Sequence, residues 1–215
     1  MKANCLGLIV IALTTIFATA LVALTPWVAT RLKLSPLPKW WPIVFTMSAA
    51  MALVFSLCVE RSISLEPITV FALAVGAAAL AMLVVIDLNE KRLPRLLSLS
   101  TFAIVTVCLL LSQPIHERID VLYGAVAITV ISVLLFLLAR GAFGIGDVLL
   151  SPLLGAIMGW FAISAIVVFW MATAISGAIV SLFVILARKT KQTRVIPYGP
   201  FMVIGLLTSV IWSVR

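Results

Sequence analysis

Apolar residues fall along this chain in long runs separated by short polar segments. A helix that crosses a bilayer needs about 20 apolar residues, with a range of about 17–25. Runs of that kind cover positions 5–29, 43–59, 67–86, 96–111 and 121–139. The next 40 positions, 148–187, carry no charge. That is too long for one span, and Gly155 and Gly159 suggest a break near Trp160. A short sixth helix over 147–159 and a long, tilted seventh to Ala187 are expected. The sixth would be about 20 Å long at 1.5 Å per residue, short of a core of about 30 Å, so a re-entrant segment is the alternative. A last span follows the VIPYG segment and ends near Val214. The pattern predicts an all-α fold: a polytopic transmembrane helix bundle of about eight spans, one membrane-embedded domain over 1–215.

Composition supports this class. The chain is 64% hydrophobic and 10% charged, against about 45–50% and about 25% for soluble domains. Its net charge of +8 invites a nucleic-acid reading, but no basic tract is interleaved with aromatics for base stacking. The basic residues instead sit in loops between spans. With eight spans, one side holds Arg31, Lys33, Lys39, Lys91, Arg92, Arg95, Arg140, Arg188, Lys189, Lys191 and Arg194, and the other Lys2, Arg61, Arg118 and Arg215. A split of 11 to 4 among 15 basic residues makes the first side cytoplasmic by the positive-inside rule. A re-entrant sixth segment would reduce the split to 8 to 7, so eight spans are preferred. Lys2 and the Ala18-Thr19-Ala20 triplet resemble a removable signal, but the apolar run continues to Ala29, and a retained first span is expected.

The polar residues narrow the chemistry. Cys5, Cys58 and Cys108 lie far apart in or beside apolar runs, with no C-x-x-C, so no zinc or dithiol motif can be drawn. His116 stands alone and builds no metal site. No metal and no cofactor are expected. Of three aspartates, Asp120 lies with Glu117 and Arg118 in an outer loop and reads as a solvated helix-start residue. Asp87 and Asp147 are each the first polar group at the cytoplasmic end of a span. Either alone could be a solvated loop acid or a helix cap. An acid at a membrane junction nevertheless calls for a functional explanation. Two carboxylates held close share one proton, so one can act as general base on water and the other as general acid. Gly144 and Gly146 would allow close backbone approach and unusual dihedrals beside Asp147. Asp147 opens a helix and Asp87 closes one, so helix dipoles would make Asp147 the base and Asp87 the acid, although Lys91 and Arg92 oppose this.

Three motifs carry a resemblance: D-x6-P from Asp87 to Pro94, G-x-G-D from Gly144 to Asp147, and IPYGPFMVIG from Ile196 to Gly205. In this order they resemble the type IV prepilin peptidases, polytopic GxGD-type aspartic peptidases, over about 83–205. The resemblance implies that Asp87 and Asp147 are the catalytic pair, with Gly144 and Gly146 in the active-site loop. Pro94, Pro197, Gly199 and Pro200 would pack beside it, though the prolines could equally set only a helix start. It also implies a substrate, the basic leader of a type IV prepilin or pseudopilin precursor, cut at the cytoplasmic face of a bacterial plasma membrane just before its apolar helix.

The chain departs from the family pattern in three places. Leu149 stands where the family usually has Lys, and Arg95 where it often has Asp or Asn. Loop 31–42 lacks the C-x-x-C insert linked to N-methylation, so a short peptidase without methyltransferase activity is expected. Two other classes compete: a proton- or cation-coupled carrier using the same acids, for which midplane placement is usual, and a catalytically inactive assembly factor.

Overall fold

The computed structural model describes residues 67–90, 94–112, 115–138, 143–186 and 198–213, with six isolated positions between Ile16 and Arg31. The two expected spans over 5–29 and 43–59 lie almost wholly outside them, as does Pro197. The described residues form six helices: α1 (Pro67–Glu90), α2 (Arg95–Ser112), α3 (Ile115–Leu138), α4 (Ile145–Phe161), α5 (Ile166–Leu186) and α6 (Gly199–Ser213), with a 3-10 turn at Ile163–Ala165. Four stretches are long and apolar enough to cross a membrane: Ile68–Leu88, Arg95–Ser112, Arg118–Leu138 and Ile163–Phe183. The helices α4 and α6 are shorter and equally apolar.

Helix α4 runs through the centre of this bundle. From Leu150 to Trp160 every residue except Pro152 is buried. It lies antiparallel to α3: Ser151 meets Ser132, Gly155 meets Gly124, and Gly159 meets the Asp120 carbonyl. The glycine contacts are backbone to backbone. A β-carbon on Gly124 would stand 2.7 Å from the Gly159 Cα, and one on Gly155 would stand 2.6 Å from the Ala125 Cα. Gly155 and Gly159 form a G-x-x-x-G pair, which lets helices approach closely where lipid supplies no hydrophobic drive. Among the described residues, α4 follows α3 from Ser132 to Asp120 without turning back, as a re-entrant segment would.

The break expected near Trp160 falls two residues later, and the glycines do not make it. Both glycines lie inside α4, and the chain turns at Ala162, whose backbone is extended at φ −172° and ψ 117°. No Gly or Pro marks the turn. The Ala162 N–H donates to the Met158 carbonyl at 2.9 Å, closing α4 before the 3-10 turn starts.

The other helices pack in the same alternating sense. Gly76 of α1 fits against Val105 of α2 and Ile157 of α4, while Gly205 of α6 fits against Phe169 and Thr173 of α5. Helix α1 is the most enclosed of the four long stretches. Helices α2, α3 and α5 present Val107, Val130, Ile175 and Phe183 outward, an apolar surface suited to hydrocarbon. Alternation brings the C-terminal end of α1 and the N-terminal ends of α4 and α6 to one end of the bundle.

Candidate active site

The two acids reach this end from inside helices. Asp87 was expected to open a loop, but α1 continues one turn further, to Glu90. Nothing in Leu88-Asn89-Glu90 breaks a helix. The first strong breaker is Pro94, which disfavours helical backbone at the residue before it. Asp147 is the third residue of α4 rather than its first. Only 6% of Asp87 and 5% of Asp147 is exposed, so neither is a solvated loop acid.

Asp147 does cap its own helix. Its Oδ2 accepts the Gly144 N–H at 3.2 Å, while the Gly144 carbonyl accepts from the Asp147 N–H at 3.1 Å. This is one half of a capping box, the other half needing a side chain that glycine lacks. The unusual dihedrals expected here are not what Gly144 supplies: at φ −80° and ψ 145° its backbone is open to any residue. The close approach is real, since a β-carbon at 144 would lie 3.1 Å from Asp147 Oδ2. Gly146 is the second residue of α4 and half-buried.

Helix α6 closes the site. The Tyr198 carbonyl accepts from Phe201 N–H at 3.0 Å and Met202 N–H at 3.3 Å, so Tyr198 is the N-cap. Pro200 stands in the first turn, where a missing N–H costs nothing. The first free amide of α6 is Gly199, and its N–H interacts with the Asp87 carboxylate. The contact is close, with 2.8 Å from a β-carbon at 199 to Asp87 Oδ2. Oδ2 itself closes no hydrogen bond within the described residues.

The carboxylate of Asp87 is near enough for its charge to act on Asp147. Burial, and then the charge of Asp147, push the Tyr198 phenol above its ordinary range. Of the sequence-predicted residues, the structure brings Asp87, Asp147, Gly144, Gly146, Gly199 and Pro200 to one place. Pro94 caps α2, its carbonyl accepting from Ser98 N–H at 3.1 Å, and among the described residues no hydrogen bond joins it to the acids. Asp120 is exposed on α3, near the far end of α4. No group of three or more His, Cys, Asp or Glu side chains that could hold a metal occurs among the described residues.

The sequence reading passed over two features. Phe143 and Tyr198 meet edge-on with ring centroids 5.2 Å apart. Below Asp147, Ser151 donates to the Asp147 carbonyl at 2.8 Å and bonds Ser132 on α3. Since one hydroxyl carries one proton, the order is Ser132 to Ser151 to Asp147. The spacing of 147 and 151, one helical turn, was the available signal.

Residues 74–186, just over half of the chain, match the type IV leader peptidase family. The chain belongs to that family. The matched stretch holds both acids and ends before the segment that carries Tyr198 and Gly199. Over 185 residues the chain is 28% identical to the prepilin leader peptidase/N-methyltransferase of Legionella pneumophila, covering 83% of this chain and 61% of that relative. The chain thus spans about three fifths of the relative's length. No solved structure matches.

Proposed function

We propose that this family member is an aspartic endopeptidase, a single membrane-embedded domain that removes the basic leader of type IV prepilin or pseudopilin-like precursors. The observation that carries the reading is the placement of Asp87 and Asp147 at one end of the bundle, within reach of each other's field. They come from motifs 60 positions apart, are both buried, and interact through their charges. A burial that shallow helix caps would not need is what a shared-proton dyad requires.

In the proposed reaction the ionised carboxylate removes a proton from water, and the oxygen adds to the carbonyl carbon of the bond to be cut. The protonated carboxyl gives its proton to the carbonyl oxygen. In the second step the C–N bond breaks as the carboxyl that holds the proton gives it to the leaving nitrogen, while the other carboxylate takes a proton from a hydroxyl of the tetrahedral intermediate, so the pair again holds one shared proton. Helix ends still favour Asp147 as the base and Asp87 as the acid, with a smaller margin at Asp87. Asp87 lies in the last turn of α1 and also meets the N-terminal end of α6, so opposing helix ends act on it, whereas the N-terminal end of α4 favours the ionised form of Asp147.

The basic-residue split, 11 to 4, supports a cytoplasmic active site in a bacterial plasma membrane. Both acids lie at one end of the bundle, which favours a peptidase acting at the membrane surface over a carrier with a midplane site. The test is co-expression with a precursor carrying a basic leader, a glycine and an apolar helix, scored by gel shift. Asp87→Asn and Asp147→Asn should each abolish cleavage while the protein stays in the membrane, and Asp120→Asn should cleave normally. Full cleavage by either dyad variant overturns the assignment.

A further inference from the structure

Each acid is met by the backbone of one glycine: Gly144 holds Asp147, and Gly199 lies on Asp87. The residue just before each glycine is aromatic, Phe143 in one case and Tyr198 in the other. These two rings are the pair that meets edge-on at 5.2 Å and 63°. The contact therefore ties together the two short segments that seat the two carboxylates.

We infer that the Phe143–Tyr198 contact is a clasp that sets the separation of Asp87 and Asp147, making both aromatics positioning residues for the reaction proposed above, on which this inference rests. Phe143 is buried and ends a polar connection, so its ring is held more tightly than a loop residue needs for solubility. Tyr198 is held from two further sides, by Phe201 at 5.9 Å and by Gly177 of α5, where a β-carbon would stand 3.4 Å from the Tyr198 Cε2. A ring fixed on three sides transmits the position of α6 to the start of α4. Among the described residues, the titratable groups around the clasp are Asp87, Asp147 and the Tyr198 phenol itself, and Gly177 of α5, which faces the ring, carries none. The phenol is half-buried and beside Asp147, but the clasp is made by the ring, so the hydroxyl is dispensable to it.

A misplacement of about 1 Å between reacting groups can cost about 100-fold in rate. Loosening the clasp should therefore lower kcat by about 10- to 100-fold and leave KM within about threefold, because it alters the reacting geometry and not substrate binding. It should also weaken the coupling of the carboxylates. The alkaline limb of the kcat–pH profile then moves toward the acid limb by about half a pH unit or more.

The experiment measures kcat and KM across pH for the full chain in detergent, using a peptide with a basic leader and an apolar stretch. The variants are Tyr198→Leu, Phe143→Leu, the double variant, and Tyr198→Phe. Each leucine variant should show the kcat loss and the narrowed profile. The double variant should be no worse than the poorer single, and Tyr198→Phe should restore most of the turnover and the width. If Tyr198→Leu does not accumulate, Phe143→Leu carries the test from the other partner. The exchange Phe143→Tyr with Tyr198→Phe, which keeps two rings, must then remain active. Wild-type kcat in a leucine variant, a kcat loss with an unchanged profile, or equal damage from Tyr198→Phe and Tyr198→Leu overturns the clasp. Cleavage by Asp87→Asn instead overturns the dyad itself, a separate result.

Discussion

The Gly199 backbone lies so close to the Asp87 carboxylate that a β-carbon at 199 would stand 2.8 Å from Oδ2 and 3.5 Å from Cγ. One of the two must move if a methyl group is added. Asp87 is enclosed, so the displacement falls on the acid or on the first turn of α6. Gly199→Ala should lower precursor cleavage by about 10- to 100-fold with ordinary accumulation in the membrane. Quantitative gel-shift rates against membrane protein level check this, and an unchanged rate refutes it.

Cleavage should depend on pH from both sides. In the proposed mechanism the dyad works with one proton between two carboxylates. Below the lower apparent value both are protonated and no base remains; above the higher one both are ionised and no acid remains. kcat should therefore be bell-shaped in pH, each limb belonging to the pair rather than to one residue. Asp120→Asn should leave both limbs in place. A rate that rises to a plateau with no alkaline fall contradicts a shared proton.

The alternating helices give a labelling pattern. With the positive-inside orientation, cysteines replacing Asn89 and Gln192 should react with an impermeant thiol reagent only from the cytoplasm, and one replacing Ser64 only from outside. Labelling of Gln192→Cys from outside would mean that α4 and α5 do not form two crossings, against the run of α4 along α3.

The α3–α4 crossing should tolerate no side chain at its glycines. A β-carbon at Gly159 would collide with the Asp120 carbonyl and approach the Val121 Cα to 2.9 Å. Neither obstacle is a flexible side chain. Gly159→Ala should destabilise the fold by about 1–3 kcal/mol or more, the usual range for overpacking, and Gly159→Leu should prevent accumulation. Thermal unfolding in detergent provides the measurement. At Gly76 the nearest neighbour is the tip of Ile157, 3.3 Å away, which can yield, so Gly76→Ala should cost less.

The sequence made several elements legible because each depends on local chemistry. Long apolar runs locate α1, α2, α3 and α5 to within a few residues, since span length follows from bilayer thickness. Pro200 at a helix start and Asp147 at a helix opening follow from which backbone groups a first turn leaves unpaired. Tertiary packing decided the rest. Gly155 and Gly159 look like a break in one dimension and prove to be a contact face only once α3 is beside them. The helix-dipole difference between Asp87 and Asp147 follows from each helix taken singly, and is narrowed by α6, which brings its own N-terminal end to Asp87. Phe143 and Tyr198 are 55 positions apart, and nothing in either local sequence announces the other.

Both acids are borne one turn inside helices whose placement is set by glycine crossings and aromatic contacts. The segments joining those helices, at 91–93, 139–142 and 187–197, can accordingly drift in composition without disturbing the chemistry. They hold seven of the chain's basic residues. Under the proposed function, recognition of different leaders and hydrolysis of the same bond become separable traits, open to independent selection. Relatives with exchanged connecting segments should keep their reaction and change their clientele.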